Sequence, residues 1–486
     1  MAYPARWNDE RFPYFMVASE LMKTRLLHLW DSLFSSYWFI PALMLLGALL
    51  LASTTLVIDG YYLDEPPEIF WLYTGGAEGA RTLLSTVAGS IITVAGVAFS
   101  ITIAALSQAS SQFGPRILRN FMRDRGNQLV LGTFVATFLF CLLVLRSVRG
   151  GENSAIPHVS VTTAVILAIA SLCVLVYFIH HVSASMQAPL VIARAWSELK
   201  STLEHVYPES LGTGGPAPHR NDEKRIPSDP FVGDYGTIKA EESGYIQAID
   251  VEGLMKLAET CDLRMKVLQR PGKFVIDGST LVQVWPADAA NDVLRKEVNE
   301  AFIVGKQRTA EQDIEYAIHQ MVEIAVRALS PGINDPFTAV TCIDWIAESI
   351  CRIAGKSEQS SFRYGRQREI RMVTRVSSFR GIVDAGFDQI RQCSAQNVAV
   401  TIRLLEAITA IAEHVAEPGQ CEALFRQLEM IYRQSSTGIS DPYDRADVDG
   451  RYREAMGALQ AAKCNNISDD DARSYRAGAI EASMVT

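Results

Sequence analysis

Seven positions in one long apolar stretch follow one another at alternating spacings of three and four residues, and five of them carry a hydroxyl group. The positions are Ser90, Thr93, Val97, Ser100, Ala104, Ser107 and Ser111. This spacing places all seven on one stripe of a helix, the hydroxyl stripe. Hydroxyl groups along one wall solvate ions or a file of water, and small side chains leave a lumen open. The stripe therefore suits the wall of a pore.

A second interpretation of the hydroxyl stripe is close packing between helices. Between residues 86 and 111, 16 of 26 residues are Gly, Ala, Ser or Thr, and Gly96, Ser100 and Ala104 form a run of small residues four apart. Small residues let two helix backbones approach closely in lipid. A secondary transporter more often shows a broken helix or a charge inside the membrane. The stretch has neither, so packing and pore lining remain the two interpretations.

A basic cluster follows this stretch. It consists of Arg116, Arg119, Arg123 and Arg125, separated by apolar residues. This is the pattern of a short amphipathic helix at a membrane surface, where the charges pair with anionic lipid headgroups. Alternatively, the same charges form an electropositive pore mouth that favours anions.

A third candidate site is the turn at residues 330–339, between two predicted helices. Asp335 can cap the second helix, and Pro336 can occupy its first position. The backbone N–H groups at such a helix start can also hold an anion or an acidic ligand. Asn334, Asp335 and Thr338 therefore form a candidate ligand corner. A purely structural turn is the favoured alternative, since every residue already has a capping or turn role.

Catalytic and metal-binding patterns are absent from the sequence. It contains no phosphate-binding loop, no dinucleotide-binding glycine pattern, no zinc-protease motif and no hydrolase nucleophile motif. The eight cysteines form no CxxC pair, which indicates reduced thiols instead of a disulfide framework or a zinc site. The sequence therefore gives no catalytic residues and predicts neither a metal nor a cofactor.

The elements that must position the candidate sites begin with four apolar stretches, at about residues 38–58, 83–106, 129–145 and 159–179. Each is long enough to cross a bilayer, which takes about 20 residues, and none contains a charge. The strongest basic cluster lies between the second and third stretches, and basic loops stay in the cytoplasm. We expect four transmembrane helices, with the N-terminus and the C-terminus both cytoplasmic.

Charge is divided unevenly along the chain. Residues 1–181 hold 11 basic and 11 acidic side chains, so the remaining 34 basic and 43 acidic side chains give the whole net charge of −9. Binding a phosphate backbone needs a basic face. The acidic C-terminal part therefore argues against a nucleic-acid partner.

The C-terminal part has two kinds of pattern. Apolar and basic residues alternate from 263 to 267 as in a strand, and Asp250 is placed to cap a short helix before it. From residue 288 onward the pattern is helical, and Thr309 and Gln312 have the spacing of a capping box.

These patterns divide the chain into six segments. They are a cytoplasmic N-terminal segment (1–36), a four-helix transmembrane domain (37–182), a helical extension with a flexible linker (183–242), a small β-rich unit (243–286), a helical cytoplasmic domain (287–463) and a disordered tail (464–486). The predicted fold class is a membrane α-helical protein with four transmembrane helices and a cytoplasmic α+β domain.

Four runs of the sequence resemble one family of bacterial membrane proteins. They are residues 88–100, 109–124, 177–181 and 330–339. The family is domain of unknown function 2254, and the resemblance covers nearly the whole chain. It implies a protein of the bacterial inner membrane. It implies no activity, no substrate and no catalytic residue.

Two functions are compatible with these observations. The first is an oligomeric ion channel or pore, lined by the second transmembrane helix and assembled or gated by the cytoplasmic domain. Its partners are the lipid bilayer, further copies of the chain and ions. The alternative is a non-conducting membrane scaffold or sensor, whose cytoplasmic domain binds a ligand or a protein partner. A membrane enzyme ranks third, because the polar residues at the membrane face are too sparse for a mechanism.

Overall fold

The structure is a computed structural model. It describes residues 38–61, 72–114, 124–149, 156–185, 187–207, 231–356, 360–366, 369–415 and 417–462. The predicted N-terminal segment, most of the predicted linker and the predicted disordered tail lie outside these described residues. The chain divides into two compact units. The first comprises residues 1–111 and 115–187, and the second comprises residues 112–114 and 188–486.

The first unit is built from four long helices. They are α1 (Phe39–Tyr61), α2 (Ala77–Phe113), α3 (Arg125–Ser147) and α4 (His158–Ser185). All four are long and apolar enough to cross a membrane, as the sequence predicts. Helix α2 extends beyond the predicted span at both ends. Its 37 residues make it about 55 Å long, well over the thickness of a hydrocarbon core.

Two apolar clusters hold these four helices together. One contains Leu84 and Phe140 and draws on all four helices, and the other surrounds Phe134 and Phe178 and joins α2, α3 and α4. Helix α3 also packs closely against α1, because a Cβ on Gly132 would lie only 3.2 Å from the Cα of Pro41. Small residues thus bring these helices together, as expected where lipid replaces water.

The second unit begins with α5 (Ala188–Val206), and a segment rich in strands follows it after a gap in the described residues. The elements of that segment are β1 (Gly236–Lys239), β2 (Gly244–Ile249), α6 (Val251–Thr260), β3 (Arg264–Val267), β4 (Phe274–Val275), β5 (Thr280–Trp285), a 3-10 turn (Ala287–Ala289), α7 (Asp292–Glu300) and β6 (Phe302–Gly305).

The rest of the second unit is mostly helical. Its elements are α8 (Ile314–Ala328), α9 (Pro336–Ala354), β7 (Phe362–Tyr364), β8 (Ile370–Val373), α10 (Phe379–Cys393), α11 (Val398–Ala412), α12 (Pro418–Gly438) and α13 (Pro442–Ala461). Helices α8 to α13, with α5, are called the helical region below.

The strands form two sheets around one apolar core. The larger sheet has the order β1-β5-β3-β8-β7, and the smaller one has the order β4-β2-β6. Strands β3 and β8 pair in parallel, and the other pairings are antiparallel. Ile246 of the smaller sheet and Met265 and Val284 of the larger one are fully buried in the shared core.

The structure corrects the prediction that the chain is helical from residue 288 onward. Strands β6, β7 and β8 lie in that part, and β8 completes the larger sheet by pairing with β3. These strands have three or four residues each, which is too short for a periodicity signal. The C-terminal part is therefore a mixed helical and sheet region.

Two local predictions had different outcomes. Asp250 caps α6 as predicted, because its Oδ1 accepts a hydrogen bond from the backbone N–H of Gly253 at 2.8 Å. The predicted capping box is wrong: Asp313 caps α8, and Gln312 instead accepts a hydrogen bond from the backbone N–H of Ile249. Gln312 is next to the start of α8 but bonds to strand β2, which is distant in the chain, and local residue spacing cannot predict such a bond.

The sequence indicates reduced, buried thiols, and the structure agrees only in part. Among the described residues, the free cysteines are Cys141, Cys173, Cys261, Cys342, Cys351 and Cys393, of which Cys173 and Cys393 are exposed. Cys421 is disulfide-bonded, which contradicts the prediction.

Candidate functional site

Helix α2 has two opposite faces. One face is buried in the first unit and is called the alanine face; its members are Leu84, Ala88, Ile91, Ala95, Ala98, Ala105 and Ala109. All seven positions of the hydroxyl stripe are exposed. At about 100° per residue, the centre of the stripe lies about 160° around the helix from the centre of the alanine face. Packing within the described part of the chain therefore uses the alanine face and leaves the stripe open.

Three of the five hydroxyl groups of the stripe bond to their own helix. Thr93 Oγ1 donates to the carbonyl oxygen of Gly89 at 2.8 Å, and Ser100 Oγ donates to that of Gly96 at 2.9 Å. Ser111 Oγ bonds to the preceding turn in the same way. A hydroxyl that donates its proton still has lone pairs that can accept from water or face a cation. These hydroxyls therefore have a fixed direction and a remaining capacity for a ligand.

Larger apolar side chains flank the stripe. Ile92, Phe99 and Ile103 are exposed on one side of it, and Ile101 is exposed on the other. Such side chains suit contact with lipid tails. The stripe between them is composed mostly of hydroxyl groups and small residues, so it differs in chemistry from the flanks.

A buried carboxylate lies at one end of α4. Asp59 of α1 is 8% exposed and accepts hydrogen bonds from the backbone N–H groups of Val159 and Ser160 at 2.7 and 2.9 Å and from Ser160 Oγ at 2.6 Å. The first N–H groups of a helix lack partners inside the helix, and a negative charge complements its positive end. Asp59 thus caps α4. Sequence reasoning missed this role, because the partners are about a hundred residues apart.

The other end of α4 carries an acid–histidine pair. Asp124 caps α3 by accepting from the N–H of Gly126 at 2.9 Å, and its Oδ1 lies 3.1 Å from His181 Nε2. The ring of Tyr177 stacks on His181. His180 is exposed and His181 is half-buried, because adjacent residues of a helix point to different sides.

Two amide side chains are buried in the first turn of α3. Asn127 is 3% exposed and Gln128 is 1% exposed. Among the described residues, neither side-chain polar atom of Asn127 has a hydrogen-bond partner. Most buried polar groups in proteins are paired, so this amide is unusual. Together with Asp124 and His181 it makes this end of α3 polar, and no motif in the sequence indicated it.

The predicted basic cluster lies largely beyond the described residues. Arg116, Arg119 and Arg123 fall in the segment 115–123, which the structure does not describe. Arg125 is the first residue of α3 and is exposed. Its role as pore mouth or lipid contact stays a prediction.

The predicted ligand corner is a turn whose cap is already occupied. Asp335 accepts hydrogen bonds from the N–H of Thr338 at 3.2 Å and from Thr338 Oγ1 at 2.6 Å. Its own N–H donates to the carbonyl oxygen of Ala328. Asn334 has a φ of 48°, a left-handed conformation that asparagine tolerates better than most residues. The Asp335 carboxylate therefore occupies the position that an anion would take at this helix start.

A charged cluster lies where the loop between β3 and β4 meets the helical region. Arg270 and Glu315 form an ion pair at 2.8 Å with both side chains more than four-fifths buried, and Arg270 also donates to Ser377. Burial acts to raise the pKa of Glu315, but hydrogen bonds from Arg270 and Ser377 and the charges of Arg270 and Lys273 outweigh it, so the pKa lies below its usual value. The cluster cross-links the two parts of the unit.

Metal ligands do not gather in the part of the chain that the structure describes. No group of three or more His, Cys, Asp or Glu side chains is arranged there to hold a metal ion.

Comparison with known proteins gives a family and two relatives. A family model described as predicted membrane protein (DUF2254) matches residues 34–410. Uncharacterized protein Mb1321c of Mycobacterium bovis and uncharacterized protein Rv1290c of Mycobacterium tuberculosis are each 30% identical to this chain over 457 residues, which covers 92% of this chain and 85% of theirs. No solved structure matches the chain. The matched range includes all four apolar helices and the ligand corner.

Proposed function

The chain belongs to the DUF2254 family of predicted membrane proteins, and we propose that it forms an oligomeric pore in the membrane with the hydroxyl stripe of α2 as its wall. The observation that carries the proposal is the position of the stripe. All seven of its residues are exposed, on the face of α2 opposite the one that packs in the chain. In this proposal several copies surround an axis, each turns its stripe inward, and the second unit assembles or gates the pore.

The dimensions of the stripe support this proposal. From Ser90 to Ser111 a helix rises by about 32 Å, close to the hydrocarbon thickness of a bilayer of about 30 Å. One stripe forms only one wall, so a closed lumen requires further copies of the chain. Hydroxyl oxygens along the wall replace part of the hydration shell of an ion.

The flanks of the stripe support the same arrangement. A face that contacts lipid tails is expected to carry large apolar side chains, as the flank with Ile92, Phe99 and Ile103 does. The stripe carries mostly small side chains, and a Cβ on Gly89 or Gly96, at its edge, would meet nothing within 4 Å. Space is thus left for the approach of a second copy. We further propose that the protein lies in the bacterial inner membrane, with both termini and the second unit in the cytoplasm.

Ion flux through liposomes that contain the purified chain tests the proposal. Replacing Ala104 or Ser100 with leucine narrows the lumen and makes its wall apolar, so we expect flux to fall by about tenfold. Ile103→Phe is the matched control, because Ile103 is an exposed neighbour of Ala104 outside the stripe. Flux through this control should equal that of the parent.

Two results would contradict the proposal. One is an absence of flux through the parent chain, and the other is unchanged flux in the Ala104→Leu and Ser100→Leu variants. Native mass spectrometry of the same samples gives the number of copies. A defined oligomer that does not conduct would favour the alternative, a membrane scaffold or sensor.

A further inference from the structure

Two exposed aromatic side chains stand at the starts of two helices in the helical region. Phe337 is 83% exposed and Tyr443 is 85% exposed. Each follows an aspartate cap and a proline: Asp335 and Pro336 begin α9, and Asp441 and Pro442 begin α13. The cap and the proline fix the backbone there, so each ring is held outward at a defined place. Exposed apolar side chains mark a contact surface where they share one face of the molecule, so the positions of these two helix starts decide the matter.

Helix α9 runs parallel to α5 and in step with it. The rings of Trp196 and Trp345 lie 4.4 Å apart, and Lys356 donates to the carbonyl oxygen of Tyr207. From the first contact to the second, the residue number rises by eleven along each segment, so the two helices run in the same direction. Eight residues before the two tryptophans, which is about 12 Å at 1.5 Å per residue, are Ala188 on α5 and Phe337 on α9. The starts of the two helices are therefore level.

Helices α11 and α13 begin at the same end. Two ion pairs join these helices, Asp344 with Arg403 and Glu406 with Arg451. Glu413 also acts electrostatically on Cys351, and Gly438 lies beside Ala395. From one pair of neighbours to the next, both partners advance along the chain, so α9, α11 and α13 are parallel. The starts of α5, α9, α11 and α13 thus form one end surface of the helical region, and it carries both exposed aromatic rings.

The covalent chain limits the distance between the end of a candidate span and the start of α5. Helix α4, which is long and apolar enough to cross a membrane, ends at Ser185, and α5 begins at Ala188. Three residue steps reach at most about 10 Å. Packed helices lie about 8–10 Å apart, so Phe337 is also about 10 Å from the start of α5. These distances hold for any angle between the two units.

The residues at the end of a second candidate span belong to the second unit. They are residues 112–114, which include Phe113, the last residue of α2. A Cβ on Gly114 would meet Glu323 Oε1 at 2.6 Å. Glu323 lies on the last turns of α8, the helix that leads into the corner before Phe337. Within the second unit, Gly114 is therefore near the end of the helical region that carries the aromatic rings.

We propose that this end surface docks on the lipid bilayer, with Phe337 and Tyr443 inserted among the headgroups. Ile333, 40% exposed beside Phe337, and Leu190, 41% exposed in the first turn of α5, extend the apolar contact. Aromatic rings favour the boundary between headgroups and acyl chains. One aspartate cap precedes each ring, and a zwitterionic headgroup repels these carboxylates less than an anionic headgroup does. The proposal requires only that α4 lies in the membrane, and it holds whether or not the protein conducts.

The corner at Asn334, Asp335 and Thr338 gains a role in this arrangement. In the proposal, its hydrogen bonds hold the backbone that presents Phe337 to the lipid.

Quenching by labelled lipid tests the proposal on the full-length protein. Cysteine is placed at 337, 443 or 419 in separate variants and labelled with a fluorophore that reports polarity. The proteins are reconstituted in phosphatidylcholine vesicles, some of which contain nitroxide-bearing phosphatidylcholine. Gly419 is the matched control, because it is also the residue after a helix-starting proline, it is exposed, and a Cβ there meets nothing within 4 Å. Since α12 ends at Gly438 beside Ala395, its start lies about 30 Å away, at the opposite end.

We expect nitroxide lipid to quench the label at 337 and at 443 at least about threefold more than the label at 419. The parent protein, labelled in the same way, gives the background from native thiols. Equal quenching at all three positions would overturn the proposal. So would a blue-shifted label at 337 that nitroxide lipid does not quench, because the ring would then be covered by protein, such as a second copy of the chain.

Discussion

Helices α2 and α8 both bury one face more deeply than the other, but different solvents explain the two patterns. In α8 the deeply buried face is large and apolar, with Ile318, Met321 and Ile324 fully buried, and the polar side chains of the other face are half-buried. The hydrophobic effect accounts for that division in water. In α2 the buried face is mostly alanine and the open face carries hydroxyl groups.

The hydrophobic effect does not account for the division in α2. Lipid tails are as apolar as a protein core, so a hydroxyl group gains nothing by pointing toward them. Water and ion pairs therefore explain the half-buried polar face of α8, whereas the hydroxyl groups of α2, three of which bond to their own helix, face away from the rest of the chain. In the proposed pore, a second copy of the chain or a file of water would contact them. The polar and small side chains of the first unit could stabilise the single chain, or they could serve contacts with other copies and with water. The predictions below distinguish these two roles.

The largest effect is expected where a polar group bonds to another helix. Asp59→Ala removes three hydrogen bonds to α4 and should lower the free energy of unfolding by about 2–4 kcal/mol. Ser100→Ala, whose hydroxyl bonds only within α2, should change it by less than about 0.5 kcal/mol. Thermal unfolding of both variants in detergent measures the difference. Comparable losses would mean that the stripe also stabilises the single chain.

The next effect separates the two faces of α2. Ala98, on the alanine face, is 4% exposed, so Ala98→Leu overfills the contact with α3 and α4 and should cost about 1–3 kcal/mol. Ala104→Leu, on the stripe, should cost less than about 0.5 kcal/mol in detergent-solubilised single chains. The melting temperatures of the two variants, measured together with their oligomeric state, show which substitution costs more stability. A larger loss for Ala104→Leu would reverse the assignment of the faces.

The second unit supplies a comparison in water. Glu315→Gln weakens the ion pair with Arg270 and should cost about 1–2 kcal/mol at neutral pH. The pKa of Glu315 in the folded protein lies below its usual value of about 4.3, so its stabilisation is present above that value and is lost as the pH falls through the folded pKa. The parent and the variant should therefore unfold at more similar temperatures at pH 3 than at pH 7. Thermal unfolding of both at the two pH values measures this. A difference that stays constant with pH would show that the charge of Glu315 is not the cause.

Sequence patterns were informative where the cause of the structure is local. The four apolar helices follow from length and the absence of charge, and the caps at Asp250 and Asp335 follow from residue type beside a helix start. The family resemblance is confirmed as well.

Patterns failed where the cause is distant in the chain. Strand β8 forms because it pairs with β3, more than a hundred residues earlier, and Asp59 caps a helix that starts about a hundred residues later. The open face of α2 was undetermined for a different reason. Both of its stripes contain small residues at the same spacing, so periodicity alone could not select the one that packs.

The smallest expected effect is the sharpest test of the open face of α2. A Cβ on Gly96 meets nothing within 4 Å in the single chain, and alanine is favoured over glycine inside a helix. Gly96→Ala should therefore stabilise the single chain by about 0.5–1 kcal/mol, measured by thermal unfolding in detergent. If copies of the chain approach one another at this face, the same methyl group should weaken their assembly in lipid, which native mass spectrometry detects. Gly47→Ala, on α1 and equally free of contacts, is the control for the helix effect. If Gly96→Ala stabilises the single chain and does not weaken assembly, copies of the chain do not meet at this face. Hydration would then be the remaining explanation for the hydroxyl groups of the stripe.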